Sequence, residues 1–349
     1  MLWPHAKSVL KAIVSPLLDA TGVYDRRIEE VSVREDRWTI LMYHRVVLDD
    51  RADPFRLGMC VRRDRFEAQI RYLKSRFNLI GVGEAVRRLT QGRPLPSRAV
   101  SVTFDDGYLD NLEVALPVLE SHQVPWTLFV PTGGLATGEP LWWDRVIHAF
   151  ACTSRSWIDA QAIGLPRLRR RLSLAPWYRR RSVEQVLEAL WSLPMAEIES
   201  AVLRLERALA PRVRLMPLAH RLRPADVREL HRRGVEIGAH TVKHPNLCLT
   251  DRDQLRDEML DSRRELEALC GSPVEGFAYP GGRMNQAVKE AAHEAGFSYA
   301  LATISAVNHL PCDAYELCRI GMPDAELPDF KRALSATMVR GDGTLHSIA

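Results

Sequence analysis

Apolar and polar positions alternate along this chain between two periods. Short apolar runs at residues 39–43, 78–82, 99–104, 125–130, 235–239, 274–279, 298–302 and 316–320 predict buried strands. Stretches with helical spacing lie between many of them. Asp64 opens one that carries Phe66, Ile70, Leu73 and Phe77, and residues 111–122 form a second. Thr250 with Asp253 reads as a capping box for a third, carrying Leu255, Met259, Leu266 and Leu269 up to Gly271. A fourth, 286–295, stops at Gly296. Strands that alternate with helices predict right-handed βαβ units and a parallel sheet. Seven or eight such strands in about 260 residues suit a closed or nearly closed barrel better than an open sheet.

One segment breaks the rhythm. From about 139 to 224 no β pattern is visible, while Trp157, Trp177, Trp191 and many Leu and Arg residues suggest short helices. That is too long for a connecting loop, so it predicts a helical insertion within the barrel, not a separate domain. The expected organisation is an N-terminal amphipathic helical segment (1–35), followed by the barrel over 36–349 with an insertion at about 139–224. In the first segment Trp3, Leu10, Ile13, Val14 and Leu17 share one helical face. That face suits packing on the chain's own domain better than lipid, because few lysines accompany it.

Composition narrows the classes. The 349 residues are 46% hydrophobic and 26% charged, with a formal charge of +4. These values fit a soluble globular protein and exclude collagen-like, disordered and disulfide-scaffold chains. No run approaches the ~18 apolar residues of a membrane span. Six cysteines are scattered without a C-x-x-C pair, and the first residues do not form a clean signal peptide. The expected location is therefore the cytoplasm, with a peripheral position at the inner face of the membrane as an addition to it. The small net charge hides an asymmetry, since residues 165–235 hold 16 Arg and no Lys against 7 acids. No aromatic-interleaved groove-reading motif accompanies them, so nucleic acid is not an expected partner. A basic face for an anionic or lipid-linked glycan at a membrane surface suits them better.

The chemistry gathers at two strand ends. Thr103-Phe104-Asp105-Asp106-Gly107 closes the 99–104 strand, where parallel barrels place their active sites. Two acids before a glycine also suit a plain turn. The 235–239 strand delivers His240-Thr241-Val242-Lys243-His244, two imidazoles that can converge on one point. Two histidines and a carboxylate with an open fourth position form a recurring catalytic zinc set. Asp106 can supply the carboxylate and leave Asp105 free as a base. The joint occurrence is far more specific than either part.

Both blocks resemble the hallmarks of the polysaccharide deacetylases, or NodB-homology esterases: T-F-D-D-G at 103–107 and H-[ST]-x-x-H at 240–244. The resemblance spans roughly 36–135 and 225–322. It implies a distorted (β/α) barrel of about seven parallel strands. It implies Asp105 as general base, and Asp106, His240 and His244 as ligands of a divalent metal, most often Zn2+. Two departures stand out. Where the family usually carries R-x-P-Y, this chain has Gly276-Phe277-Ala278-Tyr279-Pro280-Gly281-Gly282, so Gly281, with Tyr279, is the candidate for oxyanion and substrate contacts. The arginine of that block is missing, and Arg319 is the candidate to orient the base, a structural ion pair being the plainer reading. No clear late L-x-H block occurs, although His309 lies in that neighbourhood. Leu41-Met42-Tyr43-His44-Arg45-Val46 instead resembles the M-Y-H-R block of exopolysaccharide-synthesis deacetylases, and favours His44 over His309 as general acid.

The expected activity is metal-dependent removal of N-acetyl groups from an amino-sugar polysaccharide or lipid-linked glycan intermediate. The rivals are a non-catalytic glycan-binding barrel and a deacylase of small N-acyl substrates. Trp142 and Trp143, before Asp144, read as anchors of the insertion more readily than as sugar-stacking rings, and Asp144 as a possible helix cap.

Overall fold

A computed structural model describes residues 14–34, 36–49, 53–212 and 220–340. The strands, in chain order, are β1 (Arg37–Tyr43), β2 (Arg45–Val47), β3 (Cys60–Arg62), β4 (Asn78–Leu79), β5 (Ala99–Phe104), β6 (Trp126–Val130), β7 (Trp157–Asp159), β8 (Arg171–Ser173), β9 (Glu236–Ala239), β10 (Gly276–Ala278), β11 (Tyr299–Leu301), β12 (Asn308–His309) and β13 (Ile320–Gly321). The main sheet runs β11–β10–β9–β6–β5–β1–β12, with β4 also on β5 and β13 also on β1. Every pair is parallel except β1 with β12. The Leu317 N–H donates to Ala300 O, and the Ala302 N–H to Leu317 O, so the segment entering β13 joins β11 back towards β1. The result is a curled, mostly parallel sheet flanked by helices, a distorted (β/α) barrel.

The alternation of each strand builds two apolar regions. Leu41, Tyr43, Val100, Val102 and Phe104 face the helices and form the larger core. Trp38, Ile40, Phe129, Ala278, Tyr299 and Leu301 face inward and fill the barrel. The rings lie so close to the neighbouring backbone that glycine is required: a Cβ on Gly238 would meet the Phe129 ring at 2.4 Å. Those aromatics plug the barrel, leaving chemistry to the strand ends.

Local details depart from the sequence expectations in informative ways. The strand at 78–82 ends at Leu79, and Val82 already begins helix Val82–Thr90. Asp64 lies in the first turn of helix Arg63–Arg76, where it holds the Arg62 side chain and does not cap the helix. Helix Arg252–Cys270 is capped not by Thr250 but by Asp251, which accepts the Gln254 N–H at 2.9 Å. It stops at Gly271 in the left-handed region, as expected.

The insertion is mainly helical but not wholly so. Helices Trp142–Cys152, Pro176–Trp191 and Met195–Leu209 surround an antiparallel pair, β7 with β8. The absence of a β pattern there is thus corrected: these strands are three residues long, too short for period-2 alternation to show. The insertion has a core of its own, including Val146, Phe150, Ile158, Leu172, Val186, Val202 and Leu205.

At the other end, helix 14–20 and helix Val23–Ser32 lie against the C-terminal helix Leu327–Arg340. Ser15 Oγ donates to Asp329 Oδ1 at 2.7 Å, and Lys331 reaches Asp19 and Asp25 at 3.0 Å each. The described part of the N-terminal segment therefore packs on its own domain, but through Ser15, Asp19 and Asp25; Val14 and Leu17, the described members of the expected apolar face, are exposed. Trp3, Leu10 and Ile13 lie outside the described residues. Among those described, no helix is long and apolar enough to cross a membrane.

Candidate active site

The ends of β1, β5 and β9, with β6 between the last two, bring the candidate residues together. Tyr43 pairs with Phe104 in the β1–β5 register, and the Asp105 N–H donates to Tyr43 O at 3.1 Å. His44 therefore leaves β1 beside the point where Asp105 leaves β5. The His240 N–H donates to Val130 O at 3.2 Å, which ties the end of β9 to that of β6.

Asp106 Oδ1 lies 3.6 Å from His240 Nε2 and 3.7 Å from His244 Nε2. One potential ligand atom from each of these three buried residues falls within 4.8 Å of the others. The strand ends reach this arrangement through unusual backbone. Asp106, Thr241 and His244 all have positive φ, at 77°, 67° and 57°, a conformation of non-glycine residues that clusters at functional sites. Thr241 Oγ1 accepts the His244 N–H at 2.9 Å, which explains a hydroxyl residue at the second position of the H-[ST]-x-x-H block. Glu258 accepts the Val242 and Lys243 N–H groups at 2.8 and 2.9 Å and clamps the same turn.

The group has the chemistry of a divalent-metal site. His240 Nδ1 is 2.7 Å from Ala278 O, so it donates there and turns an unprotonated Nε2 to the site. His244 Nδ1 is buried without a hydrogen-bond partner. Burial holds both imidazoles below the usual histidine range, in the neutral form a metal requires. Burial, then the neighbouring Asp105 and Asp144, push Asp106 well above the usual carboxylate range. A cation bound among these groups would reverse that penalty.

Asp105 is a different kind of acid. Arg319 is fully buried and grips both carboxylate oxygens at 2.7 Å, while its Nε donates to Ala302 O. Burial alone would raise the Asp105 pKa, but the charge and hydrogen bonds of Arg319 outweigh it and hold the group at about 2. Asp105 is thus ionised and aimed. Desolvation lowers His44 to about 4, against the opposing pull of Asp105. At neutral pH both are free to accept a proton.

The remaining sequence candidates divide. Gly281 lies at the site with φ +56°, and a Cβ there would meet the Trp191 ring at 2.6 Å. The Tyr279 side chain is not presented to the site: it faces the helices with Phe277, fully buried, and its hydroxyl donates to Tyr315 O at 3.0 Å. Strand alternation accounts for this, because Ala278 faces inward and its neighbours cannot. His309 lies away from the cluster, exposed on β12 and beside the Arg37 side chain.

Aromatic residues of the insertion form one wall. The rings of Trp143 and Trp191 lie 4.4 and 5.6 Å from that of His244, and Trp142 stacks on Trp191 at 6.1 Å. Trp142 and Trp143 are buried, as anchors would be. The Trp143 indole N–H donates to the Tyr108 hydroxyl at 2.9 Å, and that hydroxyl donates to Asp144 at 3.0 Å. Arg45 lies 4.4 Å over the Tyr108 ring and pairs with Asp110 at 2.7 Å. Arg221 is buried as well and donates to the carbonyls of Pro131 and Gly133. Trp191, Tyr108, Arg221 and Glu258 were not legible as site residues in the sequence. Only the hydroxyl-bearing position of the histidine block hinted at the support its turn needs.

Burial raises the Asp144 pKa to about 6, although Arg45 and the Tyr108 hydroxyl oppose it. Its folded value lies above the unfolded value near 4. Its contribution to stability is therefore full below about pH 4 and is lost as the pH rises through 6. Between pH 4 and 8, Asp144→Asn is expected to gain about 2–3 kcal/mol on the natural protein. Urea unfolding of both proteins across that range checks this, and parallel curves would contradict it.

Residues 92–300 match the family model described as polysaccharide deacetylase. The match takes in Asp105, Asp106, His240, His244 and Gly281, whereas His44 and Arg319 lie outside it. The chain is 21% identical over 265 residues to YxkH of Bacillus subtilis (strain 168), covering 76% of this chain and 63% of that relative. It thus spans a little under two thirds of the length of the curated relative it matches. Its fold is similar to that of the Streptococcus pyogenes deacetylase PplD in complex with acetate, at a TM-score of 0.58 and 19% identity over 87% of this chain and 99% of that one. It is also similar to IcaB from Ammonifex degensii, at a TM-score of 0.56 and 21% identity over 87% and 97% of the respective chains.

Proposed function

The chain belongs to the polysaccharide deacetylase family, and from that premise we propose that it is a metal-dependent hydrolase. It removes N-acetyl groups from an amino-sugar polysaccharide or a lipid-linked glycan intermediate. The observation that carries this reading is the convergence of Asp106, His240 and His244 next to an Asp105 held ionised by Arg319. An enzyme built on such a set can divide the work between charge stabilisation and proton transfer.

Asp106, His240 and His244 would hold the metal, with Zn2+ as the first candidate for two imidazoles and a carboxylate. Such an ion supplies Lewis acidity for an acetyl carbonyl and lowers the pKa of water. The chain's own residues supply the rest. Asp105 accepts the proton of the attacking water, and Arg319 fixes the direction of its lone pairs. The Gly281 backbone N–H donates to the developing oxyanion, on a residue without a Cβ to obstruct the acetyl group. His44 hands a proton to the departing amine. Because Asp105 and His44 both rest unprotonated at neutral pH, the proton that Asp105 takes from the water passes to His44 before it reaches the amine. The site then returns to its starting state without a proton from solvent.

The product of this reaction is acetate, and the fold neighbour PplD is a deacetylase whose structure holds acetate. Six free cysteines suit a reducing compartment, and we place the chain in the cytoplasm. Acetate release from N-acetylglucosamine oligosaccharides and N-acetylated glycolipids tests the proposal. The purified protein is expected to release acetate from one of these classes. Tight binding of such glycans without any acetate release would support the non-catalytic barrel instead.

A further inference from the structure

The end of the insertion away from the active site carries a surface that deacetylation does not use. It is formed by the β7–β8 pair and the first turn of helix Pro176–Trp191. Three large aromatics are exposed there: Trp157 at 43%, Trp177 at 85% and Tyr178 at 57%. Among the described residues, every exposed large aromatic lies in this patch. Scattered exposed apolar residues need no explanation, but three aromatic rings gathered on one surface do.

Charge accompanies them. Residues 154–183 contain eight arginines and a single acid, Asp159. Asp159 pairs with Arg170 at 3.0 Å, and Arg180 pairs with Glu184 at 2.8 Å. Arg155, Arg167, Arg169, Arg171 and Arg181 are exposed as well. The Arg171 guanidinium lies 4.6 Å over the Trp157 ring, so cation and aromatic present one surface together.

The patch stands on a packed base. Ile158, Leu172, Leu174 and Val183 are buried beneath it. Ser182 Oγ donates to Ser173 O at 2.7 Å, and Arg179 Nε to Leu174 O at 2.9 Å, joining the strands to the helix. The backbone beneath the patch is therefore already ordered, and docking has only side-chain freedom left to restrict.

We propose that this surface docks the protein on an anionic phospholipid bilayer. Trp and Tyr rings settle at the headgroup level, where one end of the ring is apolar and the other wet. Arginine stems cover apolar surface while their guanidinium groups reach phosphate, and an anionic leaflet attracts each such charge. A soluble polyanion would match the arginines but gives no reason to expose Trp177 so fully. The same helix carries Trp177 at its start and Trp191 at its end, 14 residues or about 21 Å further on. Docking at one end therefore leaves the active site open at the other. The inference stands on surface composition and does not depend on the deacetylase reading.

Flotation of the full chain with lipid vesicles tests it, comparing phosphatidylcholine alone with phosphatidylcholine containing about 30% phosphatidylglycerol. The natural protein is expected to float with the anionic vesicles, to stay behind with the neutral ones, and to be released by high salt. Combined Arg169→Glu, Arg171→Glu and Arg181→Glu should weaken partitioning about 100-fold or more. Combined Trp177→Ser and Tyr178→Ser should also weaken it and remove a blue shift of tryptophan emission on the vesicles. Unchanged thermal midpoints show that both variants are folded. Failure to bind anionic vesicles overturns the proposal, as does equal binding by folded variants. Retention on soluble alginate without vesicle binding would overturn it in favour of a glycan-binding face.

Discussion

Asp105→Asn is expected to lower acetate release by about 10²- to 10⁴-fold while the protein keeps its metal. The substitution preserves shape but removes the anion proposed to accept the water proton. Asp105 is not among the three residues whose ligand atoms converge, so metal content should not follow activity. The variant also leaves Arg319, which is fully buried, without a charged partner. Breaking a buried pair from one side costs about 3–5 kcal/mol, so a lower unfolding midpoint is expected alongside the catalytic loss. Metal content separates the two effects, since a collapsed site would lose the ion. An Asp105→Asn protein with normal turnover would assign the base elsewhere.

The second large effect is expected at His240. His240→Ala removes one of the three groups proposed to hold the metal, together with the hydrogen bond it donates to Ala278 O. Loss of an outer-shell partner alone typically weakens a metal site 10- to 100-fold, so loss of a ligand should exceed about 100-fold. Activity at limiting metal should fall with it. His44→Ala is expected to behave differently, retaining the metal and losing turnover by about 10²- to 10⁴-fold. His309→Ala should change neither quantity, because His309 is exposed on β12 beside Arg37. The reverse pattern, with His309 essential and His44 silent, would move the acid. Equilibrium dialysis against zinc, paired with acetate release, distinguishes these outcomes.

What the sequence disclosed follows the range of the interactions involved. β5 is six buried residues long, and its end carries both aspartates, so strand and site were visible in one contiguous stretch. The histidine block was equally local. The contact between Arg319 and Asp105 joins residues 214 positions apart, and nothing in the spacing of either one announces the other. Arg319 could be suggested only because the residue usually expected in the third block was missing. Trp191 was visible as part of a helical pattern, but its approach to Gly281 depends on how the insertion folds back. Tyr279 misled in the opposite direction: adjacency to Gly281 placed it near the site, while the period-2 alternation of β10 turned its side chain away. The β7–β8 pair stayed hidden because each strand is only three residues long.

The central claim is that turnover depends on a metal held by Asp106, His240 and His244. Its most direct measurement is acetate release during metal titration of chelator-stripped protein, with bound metal quantified at each point. Activity is expected to be lost on stripping and restored in proportion to bound zinc, saturating at one ion per chain. Asp106→Asn should fail to recover over the same range. Full acetate release from protein shown to be metal-free would contradict the account.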